Sequence, residues 1–228
     1  MVEVWKAAAL LFDNDGVLVD STDAGEAAWA EWAVVHGLEP ATVLTGIHGR
    51  RSIETVARFL PADQVVAATA EIDARELGTA SRTRPMAGAA ELLGQVPDHA
   101  RAVVTSAPRP LAVARLIAAG VPVPSVVVTS EDVDAGKPAP GPYLLAARRL
   151  GLDVTHCVVF EDSPTGITAA IAARAGAVIG VGESARGQGC DVVVADLSAV
   201  RWTDAGLEIL RTIEHGAQVG PAFLVPEV

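Results

Sequence analysis

Aromatic residues make up only 4% of the 228-residue chain, so its core is not built around clusters of large rings. Half of the residues are apolar, and much of that half is alanine, a composition suited to close packing of elements. Cysteine is nearly absent. Cys157 and Cys190 lie in apolar surroundings with no metal-site spacing, and they read as buried free thiols in a reducing compartment. Basic charge is scarce too: 17 Lys and Arg face 28 Asp and Glu, a net charge of −11. Such a surface repels phosphate backbones and anionic lipid, which argues against nucleic acid and membranes as partners. A small anion could bind only where cations gather locally. The apolar run 7–12 lacks a basic lead and stops at Asp13, too short for a signal core. The longest uncharged run, 116–130, is broken by Gly120, Pro122 and Pro124 and cannot span a bilayer. These absences lead us to expect a cytoplasmic protein.

Short apolar runs recur at 7–12, 102–105, 126–129, 157–160, 177–180 and 192–195. Their continuous rather than alternating hydrophobicity fits strands buried on both faces, as in parallel sheets. Between them lie helical patterns at 110–119, 142–150 and 163–175. The last opens with Ser163 as a cap and Pro164 at the first helical position, and closes at Gly176. This alternation predicts an α/β fold with a doubly wound, Rossmann-like parallel sheet. The stretch 17–84 breaks the rhythm and shows no convincing strand. Ala28, Trp32 and Val35 share one face of a first helix there. Ile53, Val56, Ala57 and Leu60 share a face of a second, ended by Pro61, and a third is expected over 62–77. The expectation is a core of 1–16 and 85–228 with an all-helical cap inserted at 17–84, hinged near 17–21 and 84–85. The tail after Gly216 carries little pattern.

Ligands in open α/β sheets bind beyond the carboxyl ends of the strands. After the first run comes Phe12-Asp13-Asn14-Asp15-Gly16, after the second Thr105-Ser106, after the third Lys137-Pro138, and after the fourth Glu161-Asp162-Ser163-Pro164. Each alone has a plain reading: a turn, a helix cap, a solvated loop, acids complementing a helix dipole. Together they place four acids, a hydroxyl pair and one lysine on one sheet edge. Four such acids repel strongly unless a divalent cation sits among them.

The ordered stretches LFDNDGVLVDS, AVVTSAPR, GKPAPGPYLLAARRLG and VFEDSPTGITAAIAARAG resemble the haloacid dehalogenase superfamily over nearly the whole chain. The helical insertion resembles the cap of the subfamily holding sugar- and polyol-phosphate phosphatases and β-phosphoglucomutase. The resemblance implies a phosphoric monoester hydrolase acting on a small phosphorylated metabolite. It makes Asp13 the nucleophile that forms an aspartyl-phosphate and Asp15 the acid–base. Magnesium would be held by Asp13, the Asp15 carbonyl and Asp162, with Glu161 close by. Thr105 and Ser106 would bind the phosphoryl group, and Lys137 would neutralise developing charge. Asn14 stands where the family more often has an apolar residue, and both carboxylates are kept.

Within the superfamily, dehalogenases lack the second aspartate, and phosphonatases need a cap lysine, whereas 17–84 contains none. β-Phosphoglucomutases carry a histidine in the first cap helix where this chain has Gly25, which makes a mutase the alternative. The cap's His48-Gly49-Arg50-Arg51 resembles a motif of polyol- and deoxysugar-phosphate phosphatases, and it nominates Arg51, helped by His48, as substrate-binding. A non-catalytic phosphate-ester binding or regulatory protein would be expected to lack one of Asp13, Asp15, Lys137 or Asp162. A monomer or weak homodimer is expected.

Overall fold

The computed structural model describes residues 3–216; the tail after Gly216 lies outside them. In chain order come β1 (Glu3–Trp5), β2 (Ala9–Phe12) and β3 (Val19–Asp20), then α1 (Thr22–Val35), α2 (Pro40–Leu44), α3 (Ser52–Val56) and α4 (Ala62–Thr79). Next are β4 (Arg84–Pro85), α5 (Ala89–Gln95), β5 (Arg101–Val104), α6 (Arg109–Ala118), β6 (Val126–Val128), α7 (Gly141–Arg149) and β7 (Cys157–Glu161). The chain continues through α8 (Pro164–Ala172), β8 (Ala177–Val181), β9 (Val192–Val194), β10 (Val200–Thr203), β11 (Gly206–Ile209) and β12 (Glu214–His215).

All six apolar runs form strands of one seven-stranded sheet, ordered β12-β9-β8-β7-β2-β5-β6 and parallel except for β12. Every residue of β2, β7 and β8 is buried, which is why the sequence shows no polar alternation. One face packs Leu10, Phe12, Val103, Phe160 and Ile179 against α5 and Leu116 of α6. The other packs Leu11, Val104 and Val159 against Tyr143 and Ala146 of α7 and Ile167 and Ala170 of α8. Each fully buried Leu, Val or Phe contributes roughly 1.5–3 kcal/mol. β2 lies between β5 and β7, so the chain winds away from it in both directions and its carboxyl end opens into a crevice.

The inserted helices form an all-helical cap with its own apolar cluster, in which Trp32, Val43, Val56 and Ile72 are fully buried. Trp32 Nε1 donates to the Ala68 carbonyl at 3.0 Å, and the Trp29 ring stands edge-on to Trp32 at 5.4 Å. α1 to α4 enter and leave through β3 and β4, which pair antiparallel, Val19 with Pro85 and Asp20 with Arg84. This short ladder was not expected. Nor was the separate antiparallel sheet β1-β11-β10, whose first strand lies some two hundred residues before the other two.

Two helix faces differ from the sequence expectation. The buried face of α1 is Ala28, Trp29, Trp32 and Ala33, and Val35 is 60% exposed; the face centres between the two indoles and leaves Val35 at its edge. α3 stops at Val56, and Ile53 is 42% exposed. Beyond it Arg58 and Phe59 donate to carbonyls only three residues back, a tightening consistent with Pro61, which disfavours helix in the residue before it. Both cysteines are free and buried, and burial pushes each thiol up to about 12. Among the described residues, no helix is long and apolar enough to cross a membrane.

Trp32→Ala would empty the centre of the cap cluster and remove the indole hydrogen bond to the Ala68 carbonyl. A loss of about 3–5 kcal/mol is expected, measured as a urea midpoint shift by circular dichroism; under about 1 kcal/mol would show that the cap does not depend on this ring.

Candidate active site

The carboxyl ends of β2, β5 and β7 and the loop after β6 deliver the site. Lys137 reaches in from that loop and is fully buried. Its ammonium donates to Asp13 Oδ1 at 2.6 Å, Glu161 Oε1 at 2.6 Å and the Val104 carbonyl at 3.0 Å, so all three protons are used. Glu161 is also fully buried. Its Oε1 accepts from the Tyr143 hydroxyl at 2.8 Å, and its Oε2 from the amides of Asp162 and Ser163 and from Ser163 Oγ, each at 3.1 Å. Gly166 permits this: a Cβ there would lie 1.7 Å from Glu161 Oε1.

Burial raises the Asp13 carboxyl to about 7, with Glu161 adding to the rise and Lys137 opposing it. Burial, then Glu161 and Asp13, push Asp162 well above the usual range. Burial pulls Lys137 down, but Asp13 and Glu161 outweigh it and hold the ammonium above its ordinary value. Three carboxyl groups thus crowd around a single lysine. Asp13, Glu161 and Asp162 each bring an oxygen within 4.8 Å of the others, and Asp162 Oδ1 is buried without a hydrogen-bond partner. An orphaned carboxylate oxygen inside such a group suits a divalent cation. Gly16, at φ +86°, is the turn that lets the first loop pass: a Cβ there would sit 2.2 Å from Asp162 Oδ2.

Asp15 points along the other wall. Its Oδ1 accepts from Ser21 Oγ at 2.6 Å and Arg115 Nη1 at 2.9 Å, and its Oδ2 from Asn14 Nδ2 at 3.2 Å. Thr105 and Ser106 border the same cavity as Asp13, Asp15 and Asp162. Thr105 Oγ1 accepts from the Ala107 amide at 3.0 Å, and Ser106 Oγ donates to the Gly49 carbonyl of the cap at 2.9 Å. From the cap, Glu26, Trp29, His48, Arg50 and Ser52 line the cavity, and His48 Nε2 lies 3.2 Å from Glu26 Oε1.

Of the residues expected from the sequence, Asp13, Asp15, Thr105, Ser106, Asp162 and His48 border one cavity, with Lys137 and Glu161 directly behind Asp13. Arg51 is not among the lining residues. It pairs with Glu54 at 2.6 Å and donates to the Val133 carbonyl at 3.2 Å, tying the cap to the loop that carries Lys137; Arg50 takes the cavity position instead. Sequence reading missed Arg115, Glu76 and Tyr143. A signal existed for the first two, since Arg115 falls on the buried face of α6 beside Leu111, Ala112 and Leu116, and Glu76 on that of α4 with Ala68 and Ile72. A charge at an apolar position of an amphipathic helix needs a partner.

The profile of the haloacid dehalogenase-like hydrolase family matches residues 7–174. The chain is 42% identical over 173 residues to hexitol phosphatase A of Escherichia coli (strain K12), covering 74% of this chain and 80% of that one. It is 32% identical over 216 residues to glycerol-1-phosphate phosphohydrolase 2 of Saccharomyces cerevisiae (strain ATCC 204508 / S288c), covering 86% and 85%. The crystal structure of CbbY from Rhodobacter sphaeroides in complex with phosphate superimposes with a TM-score of 0.72 at 25% identity, covering 84% of this chain and 95% of that one.

Lys137→Met would leave Asp13 and Glu161 buried without their cation. Removing one partner of a buried pair costs about 3–5 kcal/mol, read as a fall in urea midpoint of chelator-treated protein. An unchanged midpoint would mean that the acids do not depend on this lysine.

Proposed function

We propose that this chain, which belongs to the haloacid dehalogenase-like hydrolase family, is a magnesium-dependent phosphatase of small sugar or polyol phosphates that works through an aspartyl-phosphate on Asp13. One observation carries the reading: Asp13 and Asp15, two residues apart on the loop after β2, present differently supported carboxylates to a single cavity. Asp13 is held from behind by Lys137, so its attacking oxygen is fixed in direction. It forms a bond to phosphorus while the ester P–O bond breaks, and Asp15 gives its proton to the leaving oxygen. Asp15 then takes a proton from the water that attacks phosphorus, and the Asp13–phosphorus bond breaks to release inorganic phosphate.

Asp13, Asp162 and the Asp15 carbonyl would hold magnesium, with Glu161 close by, and the ion would offset the repulsion between carboxylate and phosphate oxygens. Thr105 and Ser106, before the N-terminus of α6, would receive phosphoryl oxygens, and Lys137 would oppose charge that builds there. Uncatalysed phosphate monoester hydrolysis is so slow that positioning and electrostatics must supply on the order of 20 kcal/mol.

The substrate class follows from the cap side of the cavity. Glu26, His48, Arg50, Ser52 and Ser21 offer charged and hydroxyl groups suited to a polyhydroxylated carbon chain, and the relatives are named for hexitol and glycerol phosphates. The mutase alternative gains nothing from Gly25, which offers the cavity no side chain where β-phosphoglucomutases carry a histidine. The retained acids and lysine also disfavour a purely binding or regulatory role. We assign residues 17–84 to the cap and 1–16 with 85–228 to the catalytic core, in a cytoplasmic monomer or weak homodimer.

The test is phosphate release from a panel of sugar, polyol and nucleotide monophosphates, with magnesium or chelator. Asp13→Asn is expected to lower kcat by at least about 10⁴-fold, and chelator to abolish turnover reversibly. A variant keeping a tenth of wild-type activity would exclude Asp13 as nucleophile. On the best substrate Arg50→Ala should raise KM about tenfold, while Arg51→Ala should change it by less than about threefold; the reverse order would return the substrate contact to Arg51.

A further inference from the structure

Arg115 and Glu76 meet across the floor of the cavity, each the lone charge on an otherwise apolar buried helix face. Arg115 Nη2 donates to Glu76 Oε1 at 2.8 Å, and Nη1 donates to Asp15 Oδ1 at 2.9 Å. Their side chains are only 7% and 10% exposed. Taking a guanidinium this far out of water is costly, and one carboxylate would suffice to compensate its charge. Arg115 has two, one from the cap helix α4 and one from the first catalytic loop. Burial raises the Glu76 carboxyl, and Arg115 opposes the rise.

Geometry connects the two contacts. A guanidinium is planar and rigid, so a partner fixed on one terminal nitrogen fixes the direction in which the other points. Seating Glu76 on Nη2 therefore aims Nη1 at Asp15. Ser21 Oγ donates to the same Oδ1 at 2.6 Å, so Oδ1 is taken by two strong donors. Oδ2 has only the longer Asn14 contact at 3.2 Å and is the oxygen left to carry a proton. Gly25 of α1 faces the pair with no side chain of its own, and Arg115, Glu76, Asp15 and Gly25 all line the cavity.

We propose that Arg115 is a positioning residue for Asp15, oriented by Glu76 of the cap, so that seating the cap and aiming the acid–base carboxylate are one event. The inference rests on the phosphatase reading above. Arg115 forms and breaks no covalent bond. It holds Oδ1 while the Asp15 proton passes to the leaving alcohol oxygen as the ester P–O bond breaks, and again while Asp15 takes a proton from the attacking water.

The role predicts a dependence on the leaving group. The p-nitrophenolate ion leaves without a proton, whereas the alkoxide of a polyol phosphate needs one. With full-length magnesium-loaded protein in excess over substrate, Arg115→Met should release p-nitrophenolate from p-nitrophenyl phosphate at full amplitude, within about threefold of the wild-type rate. Release of the alcohol from glycerol phosphate should slow about 10²-fold, the scale of lost acid–base catalysis. Steady-state kcat should fall on both substrates, because both pass through the same aspartyl-phosphate and need the same activated water, and KM for p-nitrophenyl phosphate should fall with it. Glu76→Gln should show the same pattern at about tenfold, and Glu76→Gln/Arg115→Met should be no worse than Arg115→Met, as for residues acting as one unit. If Arg115→Met does not fold, Arg115→Lys and Glu76→Gln carry the same comparison. Equal losses on the two substrates, or a loss of amplitude alone, would make the pair a structural tie and overturn the proposal. So would a kcat within twofold of wild type on both. Wild-type protein that turns over neither p-nitrophenyl phosphate, nor glycerol phosphate, nor any member of the panel above would bring down the phosphatase reading and this role with it; an active wild type with indifferent variants would bring down this role alone.

Discussion

The ammonium of Lys137 is the contact on which the site depends. Three carboxylates, Asp13, Glu161 and Asp162, crowd within 4.8 Å, and two unit charges at such a distance repel by roughly 4 kcal/mol even at an effective dielectric constant near 20. One lysine cancels one charge of three and leaves two, which a divalent ion would neutralise. Lys137 cannot be replaced by a neighbour, because the chain contains only one other lysine, Lys6. The same ammonium also sets direction, since its third proton is anchored on the Val104 carbonyl at the end of β5. A cation tied to the backbone of the sheet cannot follow one acid at the expense of the other.

That anchoring requires the fold to be dry beneath the site. The cluster of Leu11, Val104, Val159, Tyr143 and Ala146 lies under Lys137 and Glu161 and excludes water, which strengthens each contact above it. Close packing by alanine is what allows this. Ala146 and Ala147 of α7 and Ala169 and Ala170 of α8 are buried, so both helices can lie near the strands, and Tyr143 can lean its ring on the sheet while its hydroxyl reaches Glu161. The scarcity of aromatics and the buried charge cluster are two aspects of one packing solution.

Much of this was legible in the sequence because it is local or ordered. Continuous apolar runs gave the six main strands, and the acids and lysine after them were assigned to one sheet edge by their order alone. What was not legible depends on partners distant in the chain. β1 has three residues and no pattern until it meets β11. Tyr143 reads as one more apolar position of a helix, and only the position of Glu161 gives its hydroxyl a purpose. The Arg50 and Arg51 pair is ambiguous for the same reason: both are basic and adjacent, and which faces the cavity is set by Glu54 and the Val133 carbonyl claiming Arg51. Arg115 and Glu76 could have been found by asking which charges fall on apolar helix faces.

The cap and the core are held together differently from how each is held internally. The cap's apolar cluster is separate from the two that flank the sheet, while polar contacts cross between the parts: Ser106 to the Gly49 carbonyl, Arg51 to the Val133 carbonyl, and Arg115 to Glu76. Hydrogen bonds of this kind exchange for water at little net cost, whereas separating apolar faces would cost about 25 cal/mol for each Å² exposed. The cap helices thus meet the core through these polar contacts without sharing an apolar cluster with it. Ser106 and Arg115 also line the cavity that Asp13 and Asp15 share, so the border between cap and core is one of its walls.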